Sequence, residues 1–150
     1  MPTSLTRWPG YVMQQVFESW YVRYEAAVAE LGLSVNGLKV LIVLHDEGST
    51  TQTQLVQRMG IDKSTMVSIV DELEDSGFVE RRRAKNDRRT VPIHVTAAGE
   101  VAAERAAKVT DDSNNLVFAG FTADERTEFT WYLARLADAM LEAEDERDEE

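Results

Sequence analysis

The stretch Ile61-Asp62-Lys63-Ser64-Thr65-Met66-Val67, continued by Val70-Asp71-Glu72-Leu73-Glu74, Gly77 and Glu80-Arg81-Arg82-Arg83 to Asp87-Arg88-Arg89, decides the fold. Asp62 carries the side-chain oxygen that a helix N-cap needs. Behind it Met66, Val70 and Leu73 recur at helical spacing, with Val67 and Ile69 flanking. Lys63, Ser64, Thr65 and Ser68 form the outer face near the start, and Gly77 ends the helix. Phe78–Arg83 and Val91–Val95 then read as two strands joined by the charged loop Ala84–Thr90. Pro92 predicts an edge position for the second strand, because proline donates no ladder hydrogen bond. A short polar-faced helix followed at once by a basic hairpin suits a nucleic-acid duplex. The helix fits a major groove, and an arginine-tipped loop reaches the neighbouring minor groove.

Outward from this stretch the chain reads as helices with agreeing start signals. Between Gly10 and Leu31, the residues Met13, Phe17, Trp20, Tyr24, Ala27 and Leu31 recur in steps of three and four, one aromatic-rich apolar stripe. Ser34 caps a second helix that carries Leu38, Leu41 and Ile42 and stops near Glu47-Gly48. Thr51-Gln52-Thr53-Gln54 is a capping box opening a short third helix through Met59, and Gly60 breaks the chain before Asp62. After the hairpin, Thr96 caps a helix to about Phe118. A second capping box, Thr122-Ala123-Asp124-Glu125, opens a last helix with Phe129, Leu133, Leu136 and Met140 on one face. The prediction is a mainly α protein with a small β-hairpin wing.

Composition bounds what such a fold does. A chain of 150 residues with 43% hydrophobic and 29% charged residues describes an ordinary soluble globular protein of one domain. No run reaches the 18 or so apolar residues of a membrane span, which predicts a cytoplasmic protein without a membrane partner. With no cysteine, disulfides, thiolate metal sites and thiol redox sensing are excluded. His45 and His94 have no ligand spacing around them, so neither a metal nor another cofactor is expected. Paired nucleophile and base, glycine-rich phosphate loop and metal-ligand spacing are all missing, which excludes the usual enzyme classes.

The net charge of −11 opposes a nucleic-acid partner when averaged over the chain, but its distribution does not. From Phe78 to His94 six basic residues stand against two acids, whereas from Asp138 to Glu150 eight acids stand against Arg147 alone. The basic segment releases counterions from phosphate, and the acidic end is a solvated tail.

Two short helices, a tight turn and a hairpin make a winged helix-turn-helix, and here the residues match a family. The chain resembles the multiple-antibiotic-resistance regulator (MarR) family of transcription factors. The match runs through Leu31-Gly32-Leu33, Thr51-Gln52-Thr53-Gln54-Leu55, Gly60 to Val67, Val70-Asp71, Leu73-Glu74, Gly77, Glu80-Arg81-Arg82, Asp87-Arg88-Arg89 and Thr96-Ala97-Ala98-Gly99. The resemblance implies one MarR-like domain over 1–150. Residues 34–95 form the winged helix-turn-helix, and 10–31 and 97–142 supply dimerisation helices from both chain ends. The run of acids predicts a disordered acidic tail over 143–150. The resemblance further implies a homodimer reading a palindromic operator in double-stranded DNA. The residues support this independently, since a small winged domain cannot cover apolar stripes at both chain ends; the alternative is that both stripes pack within one monomer.

Roles for side chains follow. Lys63, Ser64, Thr65 and Ser68 face phosphates and base edges, while Gln52 and Thr53 meet phosphate at the start of the third helix. Arg88 and Arg89 at the hairpin tip enter the minor groove, unless the hairpin is merely solvated. Asp87 pairs with a nearby arginine, such as Arg82, and shapes the loop. Ser68 and Glu72 stand where relatives often carry arginine, and Lys85 near a place where proline is common, so this recognition helix is less basic than its relatives. The resemblance also implies a small aromatic or lipophilic effector between the dimerisation helices and the winged part. Trp20, Tyr24 and His45 are candidates to line it, with ordinary core packing as the competing reading. The other function class that fits is a winged-helix protein-binding adaptor with little DNA affinity, favoured by the overall charge.

Overall fold

A computed structural model describes residues 2–83 and 91–148, with side chains described as far as Leu141. The elements run α1 (Pro9–Ala29), α2 (Val35–Glu47), β1 (Thr50–Thr51), α3 (Gln52–Met59), α4 (Lys63–Asp75), β2 (Val79–Arg81), β3 (Pro92–Val95), α5 (Ala97–Val117) and α6 (Ala123–Asp148). They fall into two units, Met1–Ser113 and Asn114–Glu150.

Local chemistry sets the boundaries. Ser34 Oγ accepts from the Gly37 amide at 3.0 Å and starts α2. At α3 the capping box is complete: Thr51 Oγ1 accepts from the Gln54 amide at 3.3 Å, and Gln54 Oε1 accepts from the Thr51 amide at 2.9 Å. Gly60 then takes φ 63° and lets the chain turn tightly into Asp62, whose carboxylate caps α4.

In the first unit the core lies between α2, α3, α4 and the sheet. Leu38 and Leu41 of α2, Leu55 of α3, Met66 and Leu73 of α4 and Ile93 of β3 are all fully buried there. The sheet holds one strand more than the hairpin predicts. β1 pairs with β3, so the order is β1-β3-β2, antiparallel throughout, with Thr51 opposite Pro92 and Arg81 opposite Ile93. Pro92 therefore sits in the central strand, not at an edge. Its carbonyl accepts from the Arg82 amide at 3.0 Å, so the missing donor would point the same way, just past the last paired residue of β2. Toward β1, Pro92 presents no backbone group, and the ladder loses little.

The α1 stripe divides along its length. Met13 and Phe17 are exposed, whereas Tyr24 belongs to the core, together with Val28, which the stripe does not include.

In the second unit Thr122 and Glu125 exchange the two bonds of a capping box, at 3.3 and 2.8 Å. Phe118, Phe121 and Phe129 gather with ring centroids 5.6 to 5.8 Å apart. No described side chain of α6 is buried, and Phe129, Leu133, Leu136 and Met140 stand at least 40% exposed along one face. The helix continues beyond 142, where a disordered tail is expected, to Asp148. Its alanines and glutamates are strong helix formers, with no glycine or proline to stop them.

Candidate nucleic-acid interface

The start of α4 is shaped by Asp62. Its Oδ1 accepts from Ser64 Oγ at 2.5 Å and from the Thr65 amide at 3.0 Å. The Ser64 hydroxyl first, then Thr65, hold the Asp62 carboxyl far below the usual carboxylate range. Ser68 Oγ in turn donates to the Ser64 carbonyl at 3.3 Å. Lys63, Ser64, Thr65 and Ser68 are all exposed, as the periodicity predicts, but two of the three hydroxyls already spend their protons inside the helix. Val67 departs from its expected place beside the inner face. It is 38% exposed, between Ser64 and Asp71 on the outward side. Its spacing of three from Ser64 and four from Asp71 is the sequence signal for that outward place, which its apolar character conceals.

At the start of α3, Gln52 is half-buried and Thr53 exposed. Gln54 is consumed by the cap.

Glu72, one of the departures from the basic recognition helix, has a structural use. Its Oε1 accepts from the Ser34 amide at 3.1 Å and its Oε2 from Ser34 Oγ at 3.2 Å. A carboxylate at the N-terminus of α2 suits that helix's dipole, and an arginine there would face its positive end.

The base of the hairpin is nearly neutral. Arg81 Nη1 reaches Glu74 Oε2 at 2.5 Å, and Nη2 reaches Asp71 Oδ1 at 2.6 Å. Arg81 also donates its main-chain N–H to Glu74 Oε1 at 2.9 Å. The Arg81 amide, then its guanidinium, lower the Glu74 carboxyl from its ordinary value. Arg82 pairs with Glu80. Strand alternation explains this division: Arg81 shares a face with buried Val79 and is drawn toward α4, while Glu80 and Arg82 share the opposite face. Asp87, the partner expected for Arg82, lies outside the described residues, as do Lys85, Arg88 and Arg89.

The winged part is fastened to α5. Thr96 Oγ1 donates to the Gly77 carbonyl at 2.6 Å and accepts from the Gly99 amide at 3.0 Å. The Thr96 amide donates to the Phe78 carbonyl at 3.0 Å. Further along, His45 of α2 pairs with Glu100, and the Tyr24 hydroxyl lies 3.1 Å from Thr110 Oγ1. These two fastenings separate the effector candidates. Ten residues of helix place Glu100 and Thr110 about 15 Å apart along α5. Trp20 and Tyr24 stay together, stacked with centroids 4.7 Å apart and planes 13° from parallel. His45 does not join them. Trp20 Nε1 is buried without a hydrogen-bond partner among the described residues.

Among the described residues no cluster of three metal-ligating side chains occurs, and no helix is long and apolar enough to cross a membrane. Comparison with known proteins then places the chain. The model of the MarR family matches residues 33–91. The HTH-type transcriptional regulator YwhA of Bacillus subtilis is 32% identical over 113 residues, 75% of this chain and 81% of the relative. The chain belongs to the MarR family. Its membership makes it a transcriptional regulator and not an enzyme. The HTH-type transcriptional repressor Rv2887 of Mycobacterium tuberculosis is 28% identical to this MarR-family chain, covering 85% of it and 91% of the relative. A crystal structure of MarR superposes with a TM-score of 0.76 at 28% identity, over 92% of this chain and 94% of that one. A crystal structure of Rv2887 in complex with DNA superposes with a TM-score of 0.72 at 26% identity, over 85% of this chain and 96% of that one.

Proposed function

We propose that this MarR-family protein is a repressor that works in the cytoplasm, binds a palindromic operator as a homodimer and is released by a small effector. The observation that carries the DNA reading is the outward face of α4, where Lys63, Ser64, Thr65, Val67 and Ser68 stand exposed over the first two turns. Lys63 meets phosphate, Thr65 and the serine hydroxyls meet base edges or phosphate, and the Val67 methyls meet a thymine methyl. Gln52 and Thr53 add phosphate contacts from α3. Arg88 and Arg89 supply the minor-groove contact and most of the salt dependence.

The apolar stripe of α6 and the exposed half of the α1 stripe call for a second copy of the chain, which sets two half-sites about one helical turn apart. For the effector, the support is Trp20, a half-buried ring whose buried N–H has no partner among the described residues, which suits a planar aromatic molecule with a hydrogen-bond acceptor.

The test is selection of duplexes from a randomised pool, followed by titration at several salt concentrations. An enriched inverted repeat is expected. Arg88→Ala with Arg89→Ala should flatten the slope of log K against log salt by about one for each phosphate no longer neutralised. An unenriched pool would instead favour the adaptor reading.

A further inference from the structure

Asp62 decides where a proton on the outward face of α4 points. Ser64 Oγ donates to Asp62 Oδ1 at 2.5 Å, and the same oxygen accepts from the Thr65 amide at 3.0 Å. The carboxylate is thus anchored to the helix that it caps, and a hydroxyl bonded to a charged acceptor makes one of its stronger hydrogen bonds. One turn on, Ser68 Oγ donates to the Ser64 carbonyl at 3.3 Å. A serine hydroxyl has one proton and two lone pairs. With both protons engaged, the exposed Ser64 and Ser68 present lone pairs alone to whatever approaches. Val67 and Ser68 flank Ser64 at three and four residues, so the three side chains make one small surface.

We propose that Ser64 and Ser68 are specificity-determining residues that accept hydrogen bonds from the exocyclic amino groups of bases, and that neither holds phosphate. The inference rests on the DNA-binding reading above and assigns the two serine contacts within it. Phosphate oxygens, guanine O6 and N7 and thymine O4 are all acceptors, and none of them bonds an oxygen whose proton is already engaged. Adenine N6 and cytosine N4 are the donors that a major groove offers. Val67 favours adenine of these two, because an A·T pair brings a thymine methyl beside the amino group and a C·G pair brings none. A serine with a free proton bonds donors and acceptors alike and distinguishes little. Asp62, which touches no base in this scheme, makes Ser64 selective by holding its proton.

The test uses the full chain and the duplex that it selects from a randomised pool. Each adenine is replaced in turn by purine, and each cytosine by pyrimidin-2-one, analogues that lack the amino group. Weakened base pairing is common to all protein variants, so the readout is the penalty in wild-type protein divided by the penalty in the variant. At one adenine this ratio should be about three to ten against Ser64→Ala, and at another the same against Ser68→Ala. Ratios of that size at cytosine alone would support the amino contact and overturn the preference for adenine. An inosine·5-methylcytosine pair at the Ser64 position keeps the methyl and puts a carbonyl where the amino group stood. Wild-type protein should disfavour it by about tenfold, and Asp62→Gly, with glycine a tolerated cap, by no more than about twofold. The serine ratios stand whether or not Asp62→Gly folds. The proposal is overturned if Ser64→Ala and Ser68→Ala weaken binding to every duplex by one factor, the mark of phosphate contacts. Discrimination by Asp62→Gly equal to that of the wild type overturns the role of the carboxylate. Enrichment with no amino-dependent position ends this inference alone, whereas no enrichment at all ends the DNA reading itself.

Discussion

Gly99 lies against the Phe78 carbonyl so closely that a β-carbon at residue 99 would stand 1.9 Å from that oxygen. The same β-carbon would lie 2.7 Å from a Val95 methyl. Backbone cannot yield as the end of a flexible side chain can. Gly99→Ala should therefore push the first turn of α5 away from the end of β2 and break the Thr96 bonds there, at a cost of about 2–3 kcal/mol or more. Urea denaturation of the variant checks this; a loss under about 0.5 kcal/mol would mean the junction is soft.

Val67 gives a test that touches one methyl group of the DNA. If its side chain meets a thymine, replacing that thymine by uracil should weaken binding by wild-type protein about threefold to tenfold. Val67→Ala should bind both duplexes equally. Equal uracil sensitivity in protein with and without the valine methyls would assign the contact elsewhere.

Acid should loosen the α4 anchors in a defined sense. The folded protein holds Glu74 below its ordinary 4.5 and Asp62 below its ordinary 3.8. Both therefore bind fewer protons folded than unfolded. Their contribution is complete above those ordinary values and is lost as pH falls through the lower folded ones. Stability measured by denaturation from about pH 6 to about pH 3 should decline, and Glu74→Gln should make the decline shallower while lowering stability at neutral pH. A steeper acid limb in that variant would contradict the hydrogen-bonded Glu74.

The α6 stripe carries the prediction about assembly. Leu133→Glu with Leu136→Glu places two charges in a face that a second copy should cover. Sedimentation should show dimer dissociation increased by about a hundredfold or more, since ~2.7 kcal/mol suffices for that change. An unchanged dimer would move the seam off this helix.

The parts of this fold that sequence reveals are those governed by neighbours three or four residues away. The capping boxes at Thr51/Gln54 and Thr122/Glu125 and the Asp62 cap are such features, and each helix begins where its cap implies. β1 is different: two threonines show no alternation to read, and only β3, some forty residues later, makes them a strand. The misplacement of Pro92 follows from that omission.

In the candidate interface, exposure was legible from the sequence and the internal pairings were not. Exposure of Lys63, Ser64, Thr65 and Ser68 follows from helical periodicity alone. That Arg81 turns inward while Arg82 meets Glu80 depends on strand parity, which a run of three arginines conceals. The grouping of Trp20 and Tyr24 apart from His45 depends on which turn of α5 each one meets. Pairings between residues 86 and 55 positions apart leave no local trace.

The attachments to α5 have a mechanical consequence. The Thr96 bonds around Gly99 and the His45–Glu100 pair hold the winged block at two places along one rod, while the Tyr24–Thr110 contact ties α1 to the same rod, so the winged block has no free swivel of its own against it. If a small molecule releases the protein from DNA as proposed, it has to carry rod and block together, and substitutions that uncouple signal from response should concentrate where this lever pivots rather than on the outward face of α4.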